Sequence, residues 1–232
     1  MDIVPTTKQV NKEAYNFFRY CGRDRFASYH YQLAAILRFA PQSVLEVGVG
    51  DGVVASYIKR NTNIAYTTVD IADDVGADVK GSVTKLPFPD KSFDMVCAFE
   101  VLEHLPFEQF DTALRELARV TRTHVLISVP HFGPPIKLSF KIPIIPEIQL
   151  AWKIPMPLAH VWNGQHYWEI GKRGYSVRRI RTHLHKFFAI EKEFVPFENQ
   201  YHRFFVLIPS PTNPCEPSLG NRGCDSEKKP LR

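Results

Sequence analysis

Acids and histidines gather at a few places in this chain, and their spacing is what first suggests chemistry. Glu100, Glu103 and His104, in FEVLEHL, stand at i, i+3 and i+4. At the start of a helical turn all three side chains would point to one side. With His166 they form a set of two carboxylates and two imidazoles, ligand types that can hold a divalent metal acting as a Lewis acid. Imidazoles have a second use: a histidine titrates near neutral pH and can take a proton as a general base. His131, in SVPHFG, directly follows an apolar stretch, and His166 closes VWNGQH. These two are the candidate bases, ahead of His104 and His160. The ordinary role of any single histidine is structural. His124, His183, His185 and His202 fall in helix or strand positions with no neighbouring chemistry.

A second cluster is VLEVGVGDG, residues 44–52, where glycines stand at 48, 50 and 52 behind an apolar run. Glycine lets a backbone approach a ligand closely and adopt positive φ at little cost. A phosphate loop would end in GK[ST], which is absent. A dinucleotide fingerprint would place a third glycine where Val53 stands. Instead Glu46 precedes the first glycine, giving E-x-G-x-G-x-G. A carboxylate there would repel a pyrophosphate and suit a ligand with a cationic end. Asp70 ends the next apolar run, 18 residues after Gly52. An acid at that point can accept hydrogen bonds from both ribose hydroxyls; a helix cap or turn is its other reading.

The elements that must position these residues follow from periodicity. Residues 8–39 read as helical in two pieces, stopped by Pro41. SVLEVGV (43–49) reads as a buried strand, DGVVASYIKR (51–60) as a helix and IAYTTVDI (64–71) as a strand. KSFDMVCAFEVL (91–102) contains a third long strand, and THVLISVP (123–130) is another. Between them Phe107, Phe110, Leu114 and Leu117 mark one face of an amphipathic helix. Strands alternating with helices of this length imply βαβ units and a parallel sheet covered on both faces. SVRRIRTHLHKF reads as a helix, and FAIEKEFVPF and YHRFFVLIP as a hairpin that gives the sheet an antiparallel strand near its C-terminal end. Ligands of such sheets sit at the carboxyl ends of the strands. Residues 132–160 break the pattern. Pro134, Pro135, Pro143, Pro146, Pro155 and Pro157 forbid a long helix among many large aliphatics. The segment reads as a long loop, of the kind that is functional or mobile.

The 232 residues suit one large domain, 44% hydrophobic and 23% charged, with a formal net charge of +5. Lys172, Arg173, Arg178, Arg179 and Arg181 read as a solvated helix face, so nucleic acid is disfavoured as a partner. Residues 1–18 lack a basic start followed by an apolar core, and no run is long enough for a membrane span, so a cytoplasmic location is expected. The four cysteines form no CxxC pair, and Cys97 reads as a buried thiol. Residues 210–232, rich in Pro, Gly, Ser and charge, read as a disordered tail.

The glycine loop, Asp70 and GSVTKLPFPDKSFDMVCAFEVLEHL (81–105) together resemble class I S-adenosylmethionine-dependent methyltransferases of the small-molecule, quinone-biosynthesis-like (type 11) group, over roughly residues 40–131. The resemblance implies a doubly wound, mostly parallel, seven-stranded Rossmann-like α/β sheet. It implies helices at 1–40 packed on a methyltransferase domain at 41–209, with 132–160 as a substrate-specific insertion. It implies S-adenosylmethionine as cofactor. Gly48, Gly50 and Gly52 would lie along its methionine and ribose parts, with Glu46 orienting the loop and facing the amino group. Asp70 would hold the ribose, and Ile71 would pack on adenine. An acid usual before LPF is replaced by Ser82, followed by Val83, which weakens the adenine contact. Phe99 and Glu100 would flank the methionine portion. His131 or His166 would serve as base for a hydroxyl or amine acceptor. The E-x-x-E-H stretch resembles certain metal-dependent members, with Glu100, Glu103, His104 and His166 as ligands, although LEHL also occurs in members without metal.

The expected acceptor is a small molecule, hydrophobic or lipid-like. Residues 132–160 would be a lid over it, a surface for lipid headgroups through Lys137, Lys141 and Lys153 around Trp152, or a dimer face. Oligomeric state is left open. The rivals are a cofactor-binding module without transfer activity, an NAD(P)-dependent oxidoreductase, and a nucleic-acid methylase. VPHF does not match the N/D-P-P-Y motif of that last class.

Overall fold

The computed structural model describes residues 12–210. A seven-stranded sheet runs through this part, in the order β3-β2-β1-β4-β5-β9-β8. Its strands are β1 (Ser43–Val47), β2 (Ala65–Asp70), β3 (Val79–Lys80), β4 (Phe93–Phe99), β5 (Thr121–Pro130), β8 (Phe188–Phe194) and β9 (His202–Pro209). All neighbours from β3 to β5 pair in parallel, and β9 alone runs antiparallel, between β5 and β8. A second, two-stranded antiparallel ribbon joins β6 (Pro135–Phe140) to β7 (Ile148–Lys153).

Alternation along the central strands divides the core in two. Leu45 and Val47 of β1, with Val96 and Ala98 of β4, enter one apolar cluster. Val44, Met95 and Cys97 enter the other. Both faces are therefore apolar, as a parallel sheet covered by helices requires. α4 (Phe110–Val120) covers the first face, burying Phe110, Ala113, Leu114, Leu117 and Val120 at helical spacing. Each of these side chains larger than Ala113 contributes roughly 1.5–3 kcal/mol by leaving water. α5 (Val177–Leu184) joins it, started by Ser176, whose hydroxyl accepts from the Arg179 amide. α2 (Arg23–Arg38) and α3 (Val53–Asn61) cover the second face through Tyr29, Ile36, Val54 and Ile58. A short α1 (Phe17–Tyr20) and a 3-10 turn (Lys12–Tyr15) precede α2.

The structure departs from the sequence reading in three places. The helix after the glycine loop begins at Val53, because Asp51 and Gly52 still belong to the turn. The two-residue β3 was not anticipated; Asp78 leads into it, accepting from the Thr68 amide and hydroxyl across the sheet edge. Residues 132–160, expected as a loop, contain the β6–β7 ribbon, its prolines lying mostly at strand ends and in the connection. The tail expected at 210–232 lies, apart from Ser210, outside the described residues. Among those described, no helix is long and apolar enough to cross a membrane.

Candidate functional site

The connection from β1 to α3 forms the floor of the site. Gly48, Gly50 and Gly52 all have positive φ, of 79°, 56° and 72°. Gly48 is the most constrained: a Cβ there would lie 2.3 Å from Val101 Cγ2. Its amide donates to the Val69 carbonyl at 2.8 Å, stitching the loop to β2. Asp70, at the end of β2, completes the stitch. Its Oδ2 accepts from the Val49 amide at 3.0 Å, and its Oδ1 from the Ala72 amide at 2.8 Å. Burial raises the Asp70 pKa, and these amides pull it back. A carboxylate oxygen has more than one lone pair, so Asp70 can still accept from a ligand.

Above this floor lies a cavity of about 330 Å³, in the usual range for a small-molecule site. Eight of the ten residues expected to bind cofactor line it: Gly48, Gly50, Asp70 and Ile71 from the first two strand ends, and Ser82, Val83, Phe99 and Glu100 from the next two. The other two do not. Gly52 caps α3 instead, its carbonyl accepting from the Ser56 amide. Glu46 is 4% exposed and sits within the sheet beside Tyr66, where burial pushes its pKa up to about 8. It supports the loop from below and does not face the cavity.

The far wall carries the titratable groups. Glu100 has φ of 55°, an uncommon value for a residue with a side chain. Its Oε2 lies 3.2 Å from His202 Nε2, and burial pushes its pKa up to about 7 against the pull of Arg25. Glu103 belongs to the 3-10 turn Leu102–His104 and is fully buried. Neither of its carboxyl oxygens has a hydrogen-bond partner in another described residue. Burial, then the neighbouring Glu100, push its pKa well up. His104 Nδ1 lies 3.0 Å from the Gln165 carbonyl, and burial with His166 nearby lowers its pKa to about 4. His166 Nδ1 lies 3.0 Å from Glu169 Oε1, which also accepts from the Tyr201 hydroxyl at 2.9 Å. Burial raises Glu169, but these two hydrogen bonds outweigh it and hold the carboxyl below its usual range. Glu103, His104 and His166 each offer a ligand atom, all within 4.8 Å of one another. Glu100 is not in that group.

His131 does not line the cavity. Its Nδ1 accepts from Arg203 Nε at 3.1 Å, and burial with Arg203 and Lys153 lowers its pKa to about 3. A base so strongly held neutral, and turned to a guanidinium, is poorly placed to take a proton from substrate. His160 also lies outside, its Nε2 at 2.8 Å from the His166 carbonyl. Residues 132–160 are not among those lining this cavity.

The cavity also holds residues that the motifs did not mark. His202 spans Ser28 Oγ, 2.8 Å from Nδ1, and Glu100. Burial, Arg25 and His166 lower its pKa to about 3. Tyr15, Tyr20 and Arg25 come from the N-terminal helices, with the Arg25 guanidinium 4.4 Å from the centre of the Tyr20 ring. Three carboxyl groups, Asp70, Glu100 and Glu103, share the lining with the Arg25 guanidinium and the imidazoles of His104, His166 and His202.

A model of the "Methyltransferase domain" family matches residues 45–129, the strands and loops just described. A fatty-acid O-methyltransferase of Mycolicibacterium smegmatis is 42% identical over 92 residues, covering 34% of this chain and 33% of that protein. The chain thus matches about a third of the length of that curated relative. Among solved structures, the N-methyltransferase NodS of Bradyrhizobium japonicum, in complex with S-adenosylhomocysteine, superposes with a TM-score of 0.57 at 11% identity. The superposition covers 87% of this chain and 94% of that one. The 1,6-didemethyltoxoflavin-N1-methyltransferase of Burkholderia thailandensis gives 0.55 at 16% identity, over 86% and 85% of the two chains. At these identities the likeness speaks for the fold. Residues 45–129 thus match the methyltransferase domain family, and the doubly wound sheet that carries them has the fold of these solved methyltransferases.

Proposed function

We propose that this chain is an S-adenosylmethionine-dependent methyltransferase whose acceptor is a small molecule with an apolar body and a reactive oxygen. The observation that carries the reading is the glycine loop locked to Asp70 at the mouth of the cavity. Ligands with a cationic centre are favoured beside Asp70 and beside Glu100 in its ionised form. The fatty-acid relative supports an apolar acceptor.

When bound, the cofactor supplies a methyl group on a positively charged sulfur, already activated for displacement. The residues then have three tasks. Asp70 accepts hydrogen bonds from the ribose hydroxyls. Ile71 and Val83 offer apolar surface to the adenine, with the Ser82 hydroxyl in place of the usual acid. Gly48, Gly50, Phe99 and Glu100 shape the end where methyl transfer takes place. Orientation and exclusion of water supply most of the acceleration in such a displacement. A hydroxyl acceptor must also lose a proton. His166 is the group that takes it, at Nε2, because Nδ1 is held by Glu169, whose low pKa keeps it ionised beside the imidazolium. An ionised carboxylate acceptor needs no base.

A specific observation favours a second reading, in which a divalent metal binds the acceptor oxygen. Glu103 is a buried carboxyl group with no hydrogen-bond partner in another described residue, beside His104 and His166, and a cation would favour its ionised form. Each ring has Nδ1 against an oxygen acceptor, which assigns the ligand lone pair to Nε2. Turnover before and after dialysis against a chelator, with Mg²⁺ or Mn²⁺ added back, separates the readings. Unchanged turnover leaves His166 as base, whereas loss and recovery favour the metal. Methyl transfer itself is tested by S-adenosylhomocysteine release with a long-chain fatty acid or fatty alcohol. Cofactor binding without release for a broad panel of apolar acceptors would favour the silent binding module.

A further inference from the structure

The β6–β7 ribbon is amphipathic, and its apolar face is left uncovered. Its register pairs Ile136 with Trp152, Leu138 with Leu150 and Phe140 with Ile148. Directly paired residues, and residues two apart, share a face of a ribbon. One face therefore carries six large apolar side chains, all between 39% and 54% exposed. The other face carries Pro135, Lys137, Ser139, Gln149, Ala151 and Lys153. This polar face is the one fastened to the body. Lys137 Nζ donates to the Glu198 carbonyl and stands over the Phe197 ring, and Lys153 Nζ donates to the His131 carbonyl. A ribbon normally buries its apolar face; here that face is left uncovered, and on the polar face only Lys153 is partly buried.

The exposed apolar surface continues past the strands. Ile142, Ile144 and Ile145 form the connection, Ile144 being fully exposed, and Met156, Leu158, Val161 and Trp162 extend it toward the cavity. Contiguous exposed apolar area of this extent marks an interaction surface. Lys137, Lys141 and Lys153 are opposed by Glu147 alone within residues 132–162. Arg173 donates its amide to the Leu158 carbonyl, and Lys172 stands over the Phe132 ring, so basic groups also border the base of the insertion.

We infer that this outward face is a bilayer-docking element, which inserts the apolar ribbon and its isoleucine tip among the lipids of an anionic membrane. Lys141 in the connection, Lys172 and Arg173 at the base, and Trp152 and Trp162 in the apolar surface match the layering of headgroups over acyl chains. A second copy of the chain would cover the flat face, but it would leave the tip in water and gain nothing from the lysines. The insertion leaves the sheet at His131 and returns at Gln165 and His166, which line the cavity. Docking therefore occurs on the side where the cavity lies. The inference does not depend on methyl transfer, because membrane binding is read without cofactor or acceptor.

The test is co-sedimentation of the full chain with vesicles of phosphatidylcholine and phosphatidylglycerol in equal amounts, and of phosphatidylcholine alone. Size-exclusion chromatography with light scattering runs in parallel. The variants are Ile144→Glu and the double change Leu138→Ser, Leu150→Ser, all at exposed positions, with thermal melts to verify folding. Expected are binding to the mixed vesicles, at least tenfold weaker binding for both variants, and weaker binding of the wild type to the neutral vesicles. No vesicle binding by the wild type would overturn the inference, as would equal binding to both vesicle types. A dimer that dissociates in the variants, with no vesicle binding, would assign the face to a second copy.

Discussion

The glycine-loop connection and the β6–β7 ribbon leave the same sheet but obey opposite rules. In the first, backbone and side chains are locked together. Gly48 has no room for a methyl group, and both Asp70 oxygens accept loop amides. In the second, the large side chains stand in solvent, and the attachment runs mainly through two lysines on backbone carbonyls. The first is the arrangement of a preformed ligand site, where precision requires tight packing. The second is that of a surface waiting for an apolar partner. The contrast teaches that exposed apolar area and buried polar strain are complementary signs of function, and both depart from what folding alone would select.

Four substitutions would sharpen or break that contrast, and their expected effects fall in size from the cavity outward. His166→Gln should lower methylation of a hydroxyl acceptor by roughly a hundred- to ten-thousand-fold, yet leave cofactor affinity unchanged. A carboxylate acceptor should lose far less, so comparing turnover on a fatty alcohol and a fatty acid reads the role directly. Equal loss on both would assign His166 to positioning or to a metal. Gly48→Ala should destabilise by roughly 1–3 kcal/mol, through strain at positive φ and the clash with Val101. Thermal melting and cofactor titration check this, and an unaffected variant would mean that the loop is not locked.

The third change probes the support beneath the loop through pH. The Glu46 pKa is raised to about 8 by burial. The folded state then binds a proton that the unfolded state has released, so its stability falls as pH rises from near 4.5 toward 8 and then levels. Glu46→Gln should flatten that fall, by a few kcal/mol at most. Melting of both proteins at about pH 5 and pH 8 measures it, and parallel curves would contradict the burial argument. The smallest effect belongs to the ribbon, where Leu138→Ser should change stability in solution by no more than about 0.5 kcal/mol. A large loss there would mean that the apolar face is covered within the folded chain.

The parts of this molecule that sequence revealed are those fixed by local pattern. Buried strands such as Val44–Val47 and the face of α4 follow from periodicity, and the glycine spacing marked the turn. The missing parts depend on long-range contacts. His202 looked like an ordinary strand residue, and only the β5–β9 pairing carries it to Glu100. Arg25 and Tyr20 reach the cavity because α1 and α2 pack at the carboxyl ends of the strands, which no local pattern encodes. His131 was misplaced for the converse reason: it does follow a strand end, but Arg203 and the base of the ribbon enclose it. In residues 136–140 the alternation of apolar and polar side chains was visible in IKLSF, and the surrounding prolines obscured it.

The most direct test of the central claim is calorimetric titration of S-adenosylmethionine and S-adenosylhomocysteine into the wild type and Asp70→Ala, with NADH as control. The account predicts micromolar binding of both sulfur compounds, at least tenfold weaker binding in the variant, and no binding of NADH. Binding of NADH in place of the sulfur compounds, or binding of neither, would contradict it.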